Sequence, residues 1–418
     1  MRRNGNIVIL GTLDTKGEHL LLLKEKIEAH GHRALIMDLS IGSRPASRAD
    51  ITADEIARIA GHDFDELVAG HDRTFSADAM ISGARKKVAE LLAKGELDGI
   101  VAMGGASMAL TGQRIMSTLP FGIPKVIATP AAMPTYISEW FGSIDVVIMQ
   151  VIMEFAGMHN LLEAVISQVA GAVSGMVEAG IDYAALKLPS PSVAITQIGF
   201  NEQCAVEVKR LLEMKGYNVY PFHANGISDR SMEQLISQGF LDGLIDIVPA
   251  GLIEELYQGN RAAGMNRLDA PIARGFPLVL APSTFNTTGA GPTRRMRDRF
   301  INRQPRLQID EIRFMTRYSP EEMKEGARLY AEKLNRITAP VIFLVPLRGW
   351  SSIDKPGMVL YDPEKDRIFF EELKSLLKPG IPLKIEEIDC NLEDPEFARA
   401  LVERFDELFR EQKAKSRA

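Results

Sequence analysis

Cysteine is almost missing: two residues in 418, Cys204 and Cys390, far apart in the chain. That usage excludes a disulfide framework and any cysteine-based metal motif. It fits a reducing compartment, so a cytoplasmic location is expected. Long hydrophobic runs are missing too. The most apolar region, Ile144 to Ile181, is interrupted by Asp145, Glu154, His159, Asn160, Glu163 and Glu178, and reads as a buried strand followed by a long helix. The first residues include Arg2 and Arg3 but no apolar core or cleavage pattern of a signal peptide, so no membrane partner is expected. Positive charge is not in excess either. Lysine and arginine number 49 against 55 acidic residues, a net charge of −6, which argues against general nucleic-acid binding.

What remains is an ordinary globular composition, 46% apolar and 25% charged. A chain of 418 residues exceeds what one core usually supports, so two domains are expected. In the first half, strand patterns at Asn6 to Leu10, Arg33 to Asp38, Gly99 to Met103, Lys125 to Ala128 and Ile144 to Ile148 alternate with helical patterns. Those helices are expected at Glu18 to His30, Ala53 to Ala60, Ala77 to Lys94, Ala109 to Ser117 and Met158 to Glu178. On the last of them, Gly171 and Gly175 stand four apart, which suggests close approach of another backbone. Leu186 to Ser192, with two prolines and two serines, is the best boundary. A second alternating series follows it, with strands expected from Val193 to Gln197 through Leu383 to Glu387. Continuous β-branched runs between helices indicate parallel sheets covered on both faces. The expected fold is therefore α/β, with two doubly wound Rossmann-like domains (1–188 and 189–418) and a ligand site in the interdomain cleft.

The most informative stretch is Gly11-Thr-Leu-Asp-Thr-Lys-Gly-Glu18, directly after the first strand. Read as a loop leading into an amphipathic helix, it suits a phosphate-bearing ligand. Lys16 supplies charge, Thr12 and Thr15 supply hydroxyls, and Asp14 and Glu18 are candidates to hold magnesium or a ribose. It matches neither G-x-x-x-x-G-K-S/T nor G-x-G-x-x-G, and a plain strand-to-helix turn explains the same residues. A second glycine loop, Gly104-Gly105-Ala-Ser107, follows the third expected strand. Paired glycines allow close backbone approach, and Ser107 either caps the next helix or bonds the ligand. Thr129 to Pro134 lies at the same sheet end, with Tyr136, Trp140 and Phe141 nearby as base-flanking or, more often, packing residues.

In the second half, Ile198 to Asn201, Phe222 to Ser228 and Pro346 to Asp354 are the candidate loops. His223 is the best acid/base candidate among seven histidines, although a lone histidine is more often structural. Arg348, Ser351, Ser352 and Asp354 place a cation, two hydroxyls and a carboxylate in one turn, equally consistent with a capped surface loop. Gly289 to Arg317 is arginine-rich, either an anion or subunit-contact loop or, more simply, a solvated one. Asp145 and Glu154 suit buried partners of lysine or arginine better than catalysts.

Taken together, GTLDTKGE, the glycine pair, AGMHNLLEAVISQVAGAVSGMVEAG, FHANG, LIDIVPAGLIEEL, LNRITAPV and PLRGWSSIDKPGMVLYDPEKD resemble one family. It comprises the uncharacterised proteins similar to the nucleotide-binding N-terminal domain of the tomato tobamovirus-resistance protein. The likeness runs along essentially the whole chain. It implies two Rossmann-like domains, ATP binding in the first, and self-association as a homodimer or higher homo-oligomer. By motif, the implied nucleotide contacts are Gly11, Thr12, Asp14, Thr15, Lys16, Gly17, Gly104 and Gly105. The chain departs from the pattern at Ala106-Ser-Met-Ala109, at Pro282 to Thr288 and around Val147 to Ala156.

Three functions follow as expectations. The first is an ATP-dependent enzyme transferring phosphoryl or adenylyl to a small metabolite, with magnesium as helper. The second is a nucleotide-responsive regulatory or interaction protein. The third is a nucleotide-independent isomerase, hydrolase or lyase using His223 and Asp354 as acid and base, with Arg348 beside them.

Overall fold

In the computed structural model, the described residues are 4–45, 47–70, 72–132, 144–181, 188–291, 295–311 and 313–415. Tyr136, Trp140, Phe141, Leu186 and Arg294 lie outside them. The chain divides into two compact units, Met1–Leu186 and Lys187–Ala418.

The first unit runs β1 (Asn6–Gly11), α1 (Leu13–Ala29), β2 (Arg33–Asp38), α2 (Ala53–Ala60), α3 (Phe64–Ala69), α4 (Arg73–Ala93), β3 (Gly99–Met103), α5 (Ala106–Met116), β4 (Lys125–Thr129), β5 (Val147–Gln150) and α6 (Asn160–Glu178). All its strand pairs are parallel, in the order β2-β1-β3-β4-β5. The strands β1 to β4 are apolar on both sides because each side meets a helix layer. Ile7, Ile9, Val101, Met103, Val126 and Ala128 pack with α1 and α6. Val8, Leu10, Ile100, Ala102 and Ile127 pack with α2, α4 and α5. Among the described residues, α6 alone is long and apolar enough to cross a membrane; Leu162, Val165, Ile166, Val169 and Val173 instead bury its inner face in this core.

The second unit runs β6 (Ser192–Gln197), α7 (Glu202–Met214), β7 (Asn218–His223), α8 (Ile227–Ser237), β8 (Gly243–Asp246), α9 (Gly251–Leu256), α10 (Asp269–Arg274) and β9 (Leu278–Leu280). It continues through β10 (Thr287–Gly289), α11 (Arg297–Phe300), β11 (Arg306–Gln308), β12 (Phe314–Arg317), α12 (Pro320–Leu334), β13 (Val341–Pro346), α13 (Pro363–Leu376), β14 (Leu383–Ile388) and α14 (Pro395–Lys415). Its six-stranded sheet is parallel, in the order β14-β13-β9-β8-β6-β7. Both units are therefore doubly wound α/β sheets, each reversing direction between its first and third strands. Ligands of such sheets bind in the crevice at the carboxyl ends of those two strands.

Four expectations are corrected. The stretch expected as a loop from Gly11 to Glu18 is mostly helix, because α1 starts at Leu13. The strand expected at Ile144 to Ile148 is Val147–Gln150. The arginine-rich segment expected as a loop contains α11 and two strands of an antiparallel sheet ordered β10-β12-β11. A side chain added at Gly171 or Gly175 would meet nothing within 4 Å, so no backbone among the described residues approaches them closely.

Candidate functional site

The crevice of the first unit lies where Gly11, ending β1, stands beside Met103, ending β3. The neighbouring register pair is Leu10 with Ala102. Gly11 is required by packing, since a Cβ there would come 2.5 Å from Leu20 Cδ1 of α1. Thr12 then caps α1 by conformation only, its hydroxyl lying 2.7 Å from that of Thr15. The first amides of α1 are already bonded. Leu13 N–H donates to Asp38 Oδ1 at 3.0 Å, and Asp14 N–H donates to Ser40 Oγ at 3.1 Å. The Ser40 hydroxyl donates to the same Asp38 oxygen at 2.6 Å. Asp38 is buried, and burial pushes its carboxyl up despite these donors. This carboxylate, 25 residues from Leu13 in sequence, stands where an anion would sit at a helix N-terminus.

The remaining motif residues are partly engaged. Asp14 Oδ2 accepts from the amides of Gly42 and Ser43 at 3.1 and 3.3 Å, while Asp14 Oδ1 is buried with no partner among the described residues. Lys16 leaves helical geometry (φ −128°, ψ 23°) and its Nζ donates to the Phe155 carbonyl at 2.7 Å. His19 Nε2 meets the Gly157 carbonyl at 2.9 Å. Gly17 and Glu18 lie on the helix, Glu18 exposed. Among the described residues no group of three or more His, Cys, Asp or Glu is arranged to hold a metal.

The second loop is different. Gly104 N–H donates to the Ala128 carbonyl at 3.1 Å, and a Cβ on Gly104 would come 2.7 Å from that of Met108. Gly105 is the N-cap of α5 in extended conformation (φ −72°, ψ −170°), and among the described residues no side chain caps the helix. The first helical bond is Ala109 N–H to the Gly105 carbonyl, so the amides of Ala106, Ser107 and Met108 precede it. Ser107 is exposed at this open end. Asp145, by contrast, is structural: its Oδ1 accepts from the buried Lys125 Nζ at 2.7 Å.

In the second unit the same topological position is filled. Ile195 pairs with Ile245, so Thr196 and Asp246 follow side by side at the ends of β6 and β8. The Thr196 hydroxyl donates to Asp246 Oδ1 at 2.7 Å. The fully buried Arg267 donates to Asp246, Glu233 and Asp229 at 2.6, 3.0 and 3.2 Å. Burial works against its charge, yet these three carboxylates outweigh it and raise its pKa. The amides of Gln203 and Cys204, opening α7, meet the Glu393 carboxylate at 3.3 and 3.4 Å.

The expected catalytic trio is not brought together. His223 is exposed at the end of β7, an edge strand. β13, which leads to Asp354, lies four strand spacings away, about 19 Å. Arg348 forms an exposed pair with Asp389 at 2.7 Å. Asp354 is fully buried, accepting from Asn286 Nδ2 at 2.6 Å and the Trp350 amide at 2.9 Å, with Arg317 Nη1 at 3.4 Å. Asp366 shares both Arg317 and Asn286 with it. This Asn286–Arg317–Asp354–Asp366 knot is invisible in sequence, its members being contributed by four separate segments. Asp38 is the more findable omission, as a lone acid ending an apolar strand.

Residues 5–182 match the model of the N-terminal domain of the uncharacterised protein family UPF0261, and residues 190–409 match that of its C-terminal domain. The chain is 31% identical over 402 residues to a UPF0261 protein of Clostridium tetani, covering 96% of this chain and 98% of that one. It is 27% identical over 396 residues to one of Rhizobium meliloti, covering 95% and 97%. It is also 30% identical over 315 residues to the ToMV resistance protein Tm-1(GCR237) of Solanum lycopersicum, covering 75% of this chain and 42% of the tomato protein. Among solved structures, a UDP-GlcNAc 2-epimerase of Methanocaldococcus jannaschii is 11% identical over 97% of this chain and 92% of its own. Its TM-score of 0.22 is too low to bear on fold or site.

Proposed function

The chain belongs to the UPF0261 family, and on that premise we propose that it binds ATP in its first unit and uses it to act on a small metabolite. The observation that carries the reading is the open N-terminus of α5 at the reversal point of a doubly wound sheet, with glycine at both positions leading into it. Phosphate oxygens accept from the amides of Ala106, Ser107 and Met108, with Ser107 Oγ as a further donor. Thr12 and Thr15 lie across the crevice from them. Lys16 joins the phosphates only by giving up the Phe155 carbonyl. Asp14 Oδ1 fits a magnesium contact better than Glu18 does, because it is buried and unpartnered; the remaining ligands of such an ion come from phosphate and water. When bound, ATP supplies an activated phosphoryl or adenylyl group; the residues named here bind and orient it. Two buried, unbonded thiols, Cys204 and Cys390, support a cytoplasmic location. The resemblance carries the expectation of a homodimer or higher homo-oligomer.

The test is a thermal-shift titration with ATP, ADP, AMP and NAD, with and without magnesium, on the natural chain and on Gly105→Asp. ATP at about a hundred times its Kd stabilises by roughly 2.7 kcal/mol, raising the midpoint by about 5–10 °C. The introduced carboxylate caps α5 as Asp38 caps α1 and excludes phosphate, so the shift should vanish. A shift that survives the substitution, or none in the natural chain, removes this reading. The likeness to a virus-resistance protein favours a second reading, a nucleotide-gated binding role. ATP affinity without turnover in the presence of candidate metabolites would select it.

A further inference from the structure

The side of α6 turned away from its core is a line of uncharged residues. Leu161, Ala164, Gln168, Gly171, Ala172 and Gly175 recur at three- and four-residue spacing, so the 3.6-residue period sets them along one outer face. None of the six is buried, and Leu161 is 51% exposed. A helix facing water ordinarily fills such a line with lysine and glutamate; here Glu163 and Glu178 stand to its sides.

The apolar surface does not stop at the helix. α6 lies over β3 and β4, and in the segment just before it Ile152 is 74% exposed and Met158 is exposed as well. In β5, Ile148 packs with the opposite helix layer, so by alternation its neighbour Val147 faces the side of α6, where it too is exposed. An apolar patch beyond roughly a few hundred Å² marks an interaction site.

We infer that two copies of the chain meet on this face, α6 against α6 and antiparallel, about a twofold axis passing Gln168. The pattern is self-complementary about that residue, as an isologous contact demands. Leu161 and Gly175 each stand seven residues from Gln168, and Ala164 and Ala172 each stand four. Leu161 of one copy therefore falls on Gly175 of the other, where a Cβ would meet nothing within 4 Å, and Ala164 falls on Ala172. Gln168 meets its own counterpart, and two primary amides both donate and accept. Charge agrees with this direction. Antiparallel helices set the positive end of each dipole beside the negative end of the other. Glu178, in the last turn, where its own helix disfavours an acid, comes beside the first turn of the second copy. Extent agrees as well. A helix of 19 residues is about 28 Å long, and Ile152, Met158 and Val147 widen its face toward the ~800 Å² per partner that stable interfaces bury. A lipid surface fits less well, because helices lying on membranes carry lysine and arginine beside the apolar face, and here the flanks carry Glu163 and Glu178. The inference does not rest on nucleotide binding; of the expected self-association it names the face and the symmetry.

Sedimentation velocity of the nucleotide-free full chain and of two variants tests it. The natural chain should run as a dimer at micromolar concentration. Gly175→Lys puts a better helix former at an open, exposed helical position, so folding is not at stake. It should weaken the dimer about a hundredfold or more and leave a monomer. Gln168→Cys should be joined to its own counterpart by a short bismaleimide, the chain's other thiols, Cys204 and Cys390, being buried. A monomeric natural chain overturns the inference, and flotation of that monomer with phosphatidylcholine–phosphatidylglycerol vesicles would give the face to a membrane. A dimer that survives Gly175→Lys, or one that Gln168→Cys cannot link, overturns it too and moves self-association to another surface. None of these outcomes alters the ATP titration, so the nucleotide reading stands or falls separately.

Discussion

The two sheets reverse direction at equivalent places, between β1 and β3 in one unit and between β6 and β8 in the other, but the side chains at those places differ. In the first unit the strand ends are Gly11 and Met103, and the helix after β3 begins with a bare glycine cap. In the second they are followed or formed by Thr196 and Asp246, tied together and to Arg267. Helix amides tell the same story: Asp38 and Glu393 occupy the starts of α1 and α7, and among the described residues no carboxylate does so at α5. Topology thus creates a crevice twice, and local side chains decide which crevice is filled by the chain's own charged groups.

Unplugging the second crevice should have the largest effect. Arg267→Met leaves Asp229, Glu233 and Asp246 without their shared cation, a loss of about 3–5 kcal/mol. Burial raises the Glu233 and Asp246 pKa values even with Arg267 present. Without it, the folded variant holds still more protons than the unfolded chain and should regain stability as pH falls from 7 toward 5. Urea denaturation at the two pH values checks this; a variant as stable as the natural chain would mean the plug is ornamental.

A smaller effect concerns the knot. Asp366, with a folded-state pKa of about 8 against an ordinary 3.8, is neutral in the fold where the unfolded chain is ionised. Its contribution is therefore complete below pH 4 and lost as pH rises through about 8, at no more than roughly 1.4 kcal/mol per unit. Asp366→Asn should flatten that limb of the denaturation profile. A slope unchanged from pH 5 to 8 would assign the titration to another group.

Closing the first crevice is milder in stability. A Cβ at Gly105 meets nothing within 4 Å, and its extended backbone suits aspartate. Gly105→Asp should therefore shift stability by only a few tenths of a kcal/mol while nucleotide affinity falls about tenfold or more. Loss of stability on the scale of a kilocalorie, seen by calorimetry, would show that the glycine serves packing. Arg348→Ala removes an exposed pair and should leave both the melting midpoint and nucleotide binding unchanged. A changed midpoint or affinity would return Arg348 to the candidates.

These contrasts also mark what the chain makes legible. β1, β2, β3 and β4 are readable because strands covered on both faces are unbroken apolar runs. α1 reads five residues short because its start depends on Asp38, and Gly17 inside it looks like a loop breaker. β10, β11 and β12 escape because strands of three and four residues, two of them carrying an arginine, show no period. The paired glycines at 104 and 105 mark, from local spacing alone, the strand-to-helix turn where α5 begins. The grouping of His223 with Asp354 fails for the opposite reason: sequence places both after strands but cannot order those strands. Arg267 and its three carboxylates span 21 to 38 residues, a separation over which no local pattern operates.

The hold of Lys16 on the Phe155 carbonyl also has a timetable. The two residues are 139 positions apart, and His19 reaches 138 positions to Gly157. On a ribosome adding about 5–20 residues per second, the first turn of α1 waits roughly 7 to 28 seconds for its anchor to be synthesised. Until then Lys16 has no reason to leave helical geometry. The earliest motif in the chain is among the last parts of its unit to take final shape.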